Sequence, residues 1–363
     1  MRSLNALEMS SQSKFWKQCL GAPVPSADTM GVVHSKMDAS TLRDAIHKVY
    51  GQLKRNKALP DNRGIAVAIV DGHESHASYL QHCPGCLKRT IHFDTGDRTQ
   101  YYHRQVTLML VTGAPASREP MRIPLDHEPQ LPGEDEVATA RRLLERVIKR
   151  YPRAFDLVLA DALYARADFF NFLRDHNKHV LVVLKDERRN LYQDAAGMFN
   201  LVPPVKGTFR SRDCLWWDFP DLHSWPEVKT PVRVIRSVET RSVKRQLDHR
   251  REKLTSDWIW VTTLPSELVT VQRGVEFGHQ RWDIENYGFN ELVNGWNADH
   301  VMKHHPNAIE CFLLMAFLTF IIYHAFLYLN LKHSLRSGKS KEYWAKLMAA
   351  EIYDSLIPAA MSP

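Results

Sequence analysis

Three acidic residues lie where they could act together on one substrate. Asp71 follows the apolar run GIAVAIV and Asp161 follows DLVLA, both of which predict buried strands, and Glu285 lies in the predicted helical segment RWDIENYGFNEL. Carboxylates at strand ends point to the rim where open α/β sheets bind ligands. Converging carboxylates suit Mg²⁺ or Mn²⁺, and two such ions, about 3.5–4 Å apart, can activate a hydroxyl group in phosphodiester transfer.

Each of these residues also has a simpler explanation. Aspartate is common in the turns that end strands, and we expect a turn at Asp71 and Gly72. Arg281 and Glu285 could form an exposed ion pair between residues four apart, worth only about 0.3–0.5 kcal/mol. The catalytic interpretation therefore depends on whether the three carboxylates share one site.

The surrounding pattern predicts an α/β protein. Residues 38–56 have helical spacing, and 100–113 form an extended apolar run. Residues 155–187 predict strand, helix and strand, a crossover that makes the two strands parallel in one sheet. Residues 205–265 alternate as strands do, either inserted in the core or continuing its sheet, and 266–331 are predicted to be helical.

The order of the three carboxylates resembles that of the DDE transposases. The local segments VDGHE, ADALYA and RWDIENYGFNEL support this resemblance, which covers about residues 60–330 and is closest to bacterial insertion-sequence transposases. It implies that Asp71, Asp161 and Glu285 are catalytic and hold Mg²⁺ or Mn²⁺, with two ions expected. It also implies that Arg281 orients Glu285 or grips a phosphate.

The same resemblance implies the architecture. We expect a ribonuclease H-like (retroviral-integrase-like) mixed sheet flanked by helices, with a β-rich insertion between the second Asp and the final Glu. The expected segments are a helical or irregular N-terminal segment, the first part of the core, the insertion, the final core helices and a tail, at residues 1–60, 61–200, 201–265, 266–335 and 336–363 respectively.

This chain departs from the family's usual signature around the last carboxylate. The signature places Tyr, Arg, Glu and Lys at fixed spacing, and here Arg281 and Glu285 match. Gly278 stands at the Tyr position and Leu292 at the Lys position.

A second candidate site is the segment HCPGCLKRTIH. Cys83 and Cys86 have the spacing of half a zinc site, and His82, His92 and His103 are near in sequence. One interpretation is a structural zinc ion held by Cys83, Cys86, His82 and His92, and the other is a tight turn with two reduced thiols. The five cysteines of the chain are too few and too scattered for a disulfide framework, which favours a reducing cytosol.

Basic residues cluster in two places. Lys185, Arg188 and Arg189 follow a predicted strand near the expected position of Asp161, and residues 236–253 of the insertion are strongly basic. With a formal net charge of +7, these clusters suit DNA phosphates, although a solvated surface explains them as well. We expect Arg281, Lys185, Arg188 and Arg189 to bind DNA.

Several aromatic residues and histidines lie near these segments. Trp216, Trp217 and Trp282 could stack on unpaired bases or pack in the core. His73 and His279 lie close in sequence to candidate carboxylates and could contact phosphate or water.

One segment is compatible with a membrane. Residues 311–331 are apolar and just long enough to span a bilayer, but His324 and Asn330 within them favour a buried core helix. The N-terminal residues lack the pattern of a signal peptide.

These features favour a DNA transposase that cleaves the ends of its element and transfers the strand into target DNA. The alternatives are a metal-dependent nuclease of the same fold without strand transfer, and an inactive DNA-binding remnant. We expect double-stranded DNA as partner, a homodimer when synapsed on DNA, no membrane association, and a bacterial cytoplasmic location at the nucleoid.

Overall fold

The apolar runs of the sequence form a mixed β-sheet with helices packed on it. The computed structural model describes residues 4, 8, 21, 25–60, 64–113, 120–187, 189–244 and 250–354. The strands are β1 (Val67–Ser78), β2 (Leu87–Ile91), β3 (Arg98–Val111), β4 (Arg122–Pro129), β5 (Leu157–Ala160), β6 (His179–Val183), β7 (Val205–Phe209), β8 (Arg212–Leu222), β9 (Val232–Lys244) and β10 (Arg251–Thr262). The helices are α1 (Ala27–Lys36), α2 (Ala39–Arg55), α3 (Glu136–Arg150), α4 (Ala167–Asp175), α5 (Asn190–Leu201), α6 (Val271–Gln280), α7 (Asn290–Trp296), α8 (Pro306–Ala325), α9 (His333–Arg336) and α10 (Lys341–Asp354).

The sheet combines a parallel centre with antiparallel flanks. Its order is β2-β3-β1-β5-β6-β10-β9-β8-β7, and β4 pairs with β3 as well. β5 is parallel to β1 and to β6, which confirms the predicted crossover through α4. β10 pairs antiparallel with β6, and β9, β8 and β7 follow it, so the strands of the predicted insertion continue the sheet.

Alternating side chains of the central strands build two apolar layers. On β1, Ala68 and Val70 pack into one layer, whereas Val67 and Ile69 pack into the other, as the two-residue period of a strand requires. The first layer is covered by apolar residues of α2, α3, α4 and α8. The second is covered by α6 and by the turn that follows it, so the predicted fold class of a mixed sheet flanked by helices is confirmed.

The predicted end of β1 is wrong. The strand does not stop at a turn at Asp71 and Gly72 but runs to Ser78. The reason is β3, which pairs with β1 from Val67↔Val111 to Ser78↔Tyr101 and so keeps the backbone extended beyond the end of β5.

The long apolar segment forms helix α8. It continues to Asn330 and is long and apolar enough to cross a membrane, but half of its most apolar stretch is buried. Phe317 and Phe320 are fully buried in the core. The His324 ring bonds Glu291 of α7 at 2.6 Å, and Glu291 also pairs with Lys341, so the polar residue in this helix has a partner. α8 is therefore a core helix, as predicted.

Candidate active site

The first two carboxylates lie at the same level of the sheet. The last pair between β1 and β5 is Ile69↔Leu159, and Asp71 and Asp161 are each two residues beyond it. Asp71 remains in β1 because β3 supports it, whereas β5 ends at Ala160 just before Asp161. The two side chains thus start from adjacent positions at one edge of the parallel part of the sheet.

Local hydrogen bonds hold both aspartates. The Asp71 carboxylate accepts a hydrogen bond from the Gly72 amide at 2.9 Å. Asp161 accepts one from the Leu163 amide at 2.8 Å and so caps a short 3₁₀ turn, Ala162–Tyr164. These hydrogen bonds orient both carboxylates at the edge of the sheet.

Glu285 is carried by a π-helical turn, Ile284–Phe289, between α6 and α7. Ile284 is fully buried in the second apolar layer. Asp283 pairs with Arg122 of β4 at 3.1 Å. A side chain at Gly288 would begin 3.0 Å from the sulfur of Met109, so this turn lies close against β3. π-Helical turns are rare and frequent at functional sites, and this one presents Glu285 towards the sheet edge.

Arg281 lies between two of the three carboxylates. Its Nη1 atom is 2.9 Å from Glu285 Oε1 and 3.6 Å from Asp71 Oδ2. Its side chain is only 7% exposed, and its guanidinium carbon is 4.2 Å from the centre of the Trp282 ring. The ion pair of residues four apart is therefore present, with Glu285 39% exposed, but Arg281 itself is buried and faces Asp71 as well.

The site has an excess of negative charge. Burial raises the pKa of Asp71 to about 7; Arg281 opposes this rise, and Asp161, Glu136 and Glu285 add to it. Oxygen donors that are partly buried and short of positive charge fit a hard divalent cation. The three carboxylates are nevertheless too far apart for each to place one oxygen within 4.8 Å of the others. Among the described residues, one group of metal-binding side chains meets that distance, and it contains none of these carboxylates.

A fourth carboxylate, Glu136, was missed by sequence reasoning. It lies in the first turn of α3, is 6% exposed, and accepts a hydrogen bond from the Tyr164 hydroxyl at 2.9 Å. Arg104 pairs with its other oxygen. A side chain at Gly72 would begin 2.3 Å from Glu136 Oε2, so the glycine beside Asp71 leaves room for this carboxylate. In sequence Glu136 resembles the acids that commonly begin helices, and no signal separates it from them.

Packing explains both departures from the transposase signature. A side chain at Gly278 would begin 2.3 Å from the buried Trp260 ring, so the tryptophan occupies the space that a tyrosine would need. Leu292 is 3% exposed and belongs to the core.

The basic residues predicted to bind DNA differ in their surroundings. Lys185 is exposed just after β6, near the edge that carries Asp161. Arg189 is 3.6 Å from Asp186 and its guanidinium carbon is 5.2 Å from the centre of the Trp225 ring. Arg188 lies outside the described residues.

The basic segment of the insertion divides in two. Arg236, at its start, forms two hydrogen bonds with Asp257, at 3.0 and 2.6 Å, and is therefore engaged within the sheet. The far ends of β9 and β10 carry exposed bases. These exposed bases are Arg241, Lys244, Arg251 and Lys253.

Trp216 packs in the core, the second of its two interpretations, whereas the phosphate or water contact considered for His279 is wrong. Trp216 is 5% exposed and donates a hydrogen bond to Ser237 at 3.1 Å, so it belongs to the core. His279 is enclosed by aromatic rings and bonds Glu239 at 2.6 Å.

Trp217, Trp282 and His73 are partly or largely exposed. The Trp217 indole donates to the Val202 carbonyl at 2.8 Å. Trp282 is 38% exposed beside Arg281. His73 stacks on Phe289 with 4.6 Å between the ring centres.

Cys83 and Cys86 lie in a cluster with two histidines. The ligand atoms of Cys83, Cys86, His103 and His304 all lie within 4.8 Å of one another. Burial raises the pKa of Cys83 to about 11 and lowers the pKa of His103 to about 4, so the imidazole of His103 is neutral at neutral pH.

The predicted ligand set is thus corrected in its histidines. His82 stacks on Tyr101 with 4.9 Å between the ring centres, and His92 is 78% exposed and bonds Asp97. His103 takes part because β3 returns beside β1, and His304 because the chain leading into α8 crosses the same place.

Comparison with known proteins agrees with this geometry. A family model described as a transposase DDE domain matches residues 122–322, more than half of the chain. The match includes Asp161 and Glu285. Asp71 lies before the matched residues and is included in the candidate site because of its position in the sheet. No curated protein matches the chain significantly.

Proposed function

Because the chain belongs to the family of DDE-domain transposases, we propose that it cleaves phosphodiester bonds at the ends of its element and joins the freed strands to target DNA. The family acts in DNA transposition, with DNA as partner. The observation that carries the proposal is Arg281: one nitrogen atom contacts both Asp71 and Glu285, which are 214 residues apart in sequence (285 − 71 = 214). Folding therefore gathers these two carboxylates beside Asp161.

Each residue of the site has a proposed role. Asp71 and Asp161 present oxygen atoms from the sheet edge, and Glu285 presents a third from the π-helical turn. These residues would hold Mg²⁺ or Mn²⁺, with two ions proposed, which would supply activation of the attacking hydroxyl group and charge neutralisation of the leaving oxygen. Arg281 orients Glu285, offsets the negative charge of Asp71, and would contact a DNA phosphate.

DNA reaches the site along basic surface. Lys185 and Arg189 lie near the edge that holds Asp161, and Arg188 is proposed to act with them. The bases at the far ends of β9 and β10 extend this surface, which assigns residues 201–265 to DNA binding as well as to the sheet. Contacts of this kind bind the phosphate backbone of any sequence.

The biological setting follows from the family in our proposal. The protein is the transposase of a bacterial insertion sequence and acts in the cytoplasm at the nucleoid. It works as a homodimer when two element ends are synapsed, and it does not use α8 to enter a membrane, since Leu314, Phe317 and Phe320 of this helix pack in the core.

Cleavage and joining assays test the proposal. Duplex DNA carrying the element ends from the source replicon is incubated with Mg²⁺ or Mn²⁺ and the wild type, Asp161→Asn or Glu285→Gln. We expect each variant to lose cleavage by more than about 100-fold, since loss of even an outer partner of a metal ligand costs about 10–100-fold. Glu267→Gln, which removes an exposed carboxylate outside the site, should cleave as the wild type does.

The same assay separates the alternatives. Joining of the cleaved end to a target plasmid supports the transposase, and cleavage without joining supports a nuclease of the same fold. Mobility shifts without cleavage in all proteins would identify an inactive DNA-binding remnant. Cleavage that persists in both variants would show that these carboxylates do not form the catalytic site.

A further inference from the structure

The donor cluster of Cys83, Cys86, His103 and His304 takes no part in the proposed cleavage chemistry. We propose that it is a structural zinc site that fixes the turn carrying Glu285 to the sheet carrying Asp71. Two thiols and two imidazoles form one of the ligand sets that zinc accepts in closed structural sites.

The distances in the cluster are those of a tetrahedral zinc site. With bonds of about 2.3 Å to sulfur and about 2.0 Å to nitrogen, tetrahedral zinc separates two sulfurs by about 3.8 Å and two nitrogens by about 3.3 Å. The Cys83 and Cys86 sulfurs are 3.7 Å apart, and the His103 and His304 Nε2 atoms are 3.3 Å apart.

The mixed distances are slightly shorter than this geometry gives. The same bond lengths place a sulfur and a nitrogen about 3.5 Å apart. Cys83 and Cys86 are each 3.3 Å from His103 Nε2, and Cys86 is 3.2 Å from His304 Nε2. All four donor atoms lie within 4.8 Å of one another, and the two cysteines are free thiols.

The site is partly enclosed by protein, and its four donors fill the ligand positions of a tetrahedral ion. Cys86 is 3% exposed and His103 is 7% exposed, whereas Cys83 and His304 are partly exposed. A side chain at Gly85 would begin 3.1 Å from Pro306 Cγ, so the Cys83–Cys86 loop lies directly against the start of α8. Four protein ligands in such a position are typical of structural zinc, whereas catalytic zinc keeps one position open.

The ligands come from three separate parts of the chain. Cys83 and Cys86 lie in the connection between β1 and β2, His103 lies in β3, and His304 lies between α7 and α8. α7 follows the turn of Glu285 directly, and β1 carries Asp71. An ion bound here therefore restrains the distance between two parts of the active site without contacting the reaction.

Metal analysis tests this inference. The full chain is purified without an affinity tag or added metal, and zinc is measured by mass spectrometry against protein concentration. We expect one zinc ion per chain in the wild type. In Cys86→Ser and in His304→Gln the zinc content per chain should fall by at least about ten-fold, because each variant lacks one of the four ligands. His92→Gln and His82→Gln, whose histidines lie near in sequence but outside the cluster, should retain the ion.

A second measurement does not depend on the variants folding. Co²⁺ added to wild-type protein stripped of zinc should give the visible absorption of tetrahedral cobalt with thiolate ligands, and Zn²⁺ should abolish it. Wild-type protein with no zinc and no such spectrum, or with a Cys83–Cys86 disulfide in its intact mass, would overturn the proposal. Asp161→Asn should keep its zinc, so failure of the proposed catalytic function leaves this result unaffected.

Discussion

The two ligand clusters of this protein differ in how far the folded chain assembles them. Cys83, Cys86, His103 and His304 already bring four donor atoms within 4.8 Å of one another. The carboxylates of Asp71, Asp161 and Glu285 come from equally distant parts of the chain but stay further apart, and Arg281 lies between two of them. We propose that the Cys/His cluster holds a permanent zinc ion, whereas the carboxylates bind divalent cations that exchange.

The chemistry of the donors explains this difference. Thiols and imidazoles are neutral without an ion, so they can pack closely while the protein folds. Carboxylates repel one another, and at the active site this repulsion, added to burial, raises the pKa of Asp71 to about 7. Arg281 opposes part of that rise, and we propose that it takes the place of a cation in the resting protein.

The largest effects we expect come from removing the Mg²⁺ and the zinc, which should act on different properties: Mg²⁺ removal on cleavage and zinc removal on stability. Exchange into buffer without Mg²⁺ should abolish cleavage and leave the melting temperature nearly unchanged, because the carboxylates are held by the fold. A zinc-selective chelator should lower the melting temperature by at least about 5 °C, since bound metal stabilises the folded state. Cleavage assays and thermal unfolding measure the two responses.

The control for chelation is Cys86→Ser, in which the chelator should no longer change the melting temperature. A wild-type melting temperature that responds to Mg²⁺ removal as strongly as to zinc removal would end the distinction between a permanent and an exchanging ion.

Replacing Arg281 tests whether it stands in for the cation. In Arg281→Met the carboxylates of Asp71 and Glu285 lose a partner 3.6 and 2.9 Å away, respectively. Mg²⁺ should then bind about 10-fold more tightly, because it no longer displaces a positive charge. The dissociation constant of Mg²⁺ from calorimetric titration measures this change, and cleavage should still fall because a phosphate contact is lost.

Lys185→Met is the matched control, since it removes one positive charge from an exposed position near the same edge. It should leave Mg²⁺ affinity within about two-fold, because an exposed charge is screened by solvent. Equal shifts in the two variants would assign the effect to general charge and not to the position of Arg281.

The part of each site that is local in sequence was predictable. Asp161 was placed correctly after a strand because a short apolar run that ends in Asp needs no distant information. The end of β1 was misplaced because the strand is prolonged by pairing with β3, which no local pattern reveals.

Distance along the chain limited the prediction of the second cluster. The spacing of Cys83 and Cys86 predicts two ligands of a metal site, but the ligand His304 is 218 residues from Cys86 and cannot be found from local sequence. His82 and His92 are closer in sequence and were chosen for that reason, yet neither belongs to the cluster. Glu136 was missed for a different reason, because an acid in the first turn of a helix usually serves the helix itself.

Two glycines allow the smallest and most local test of the comparison. A side chain at Gly72 would begin 2.3 Å from the Glu136 carboxylate beside Asp71, and one at Gly85 would begin 3.1 Å from Pro306 beside the Cys/His cluster. Gly72→Ala should cost about 1–3 kcal/mol of unfolding free energy and reduce cleavage, because Glu136 is held by Tyr164 and cannot move freely. It should keep its zinc.

Gly85→Ala should affect the zinc site and not the carboxylates. Its loss of stability should be smaller, since Pro306 needs to move by only a few tenths of an ångström. We expect it to lose less than about 1 kcal/mol of stability but to release zinc faster to a chelator, with half-saturation by Mg²⁺ unchanged. Gly197→Ala, in the helix α5 with nothing within 4 Å of the added carbon, should stabilise the protein by up to about 1 kcal/mol. If Gly72→Ala released zinc as fast as Gly85→Ala, the two glycines would not act on separate clusters, and the contrast between the clusters would be a property of the resting state alone.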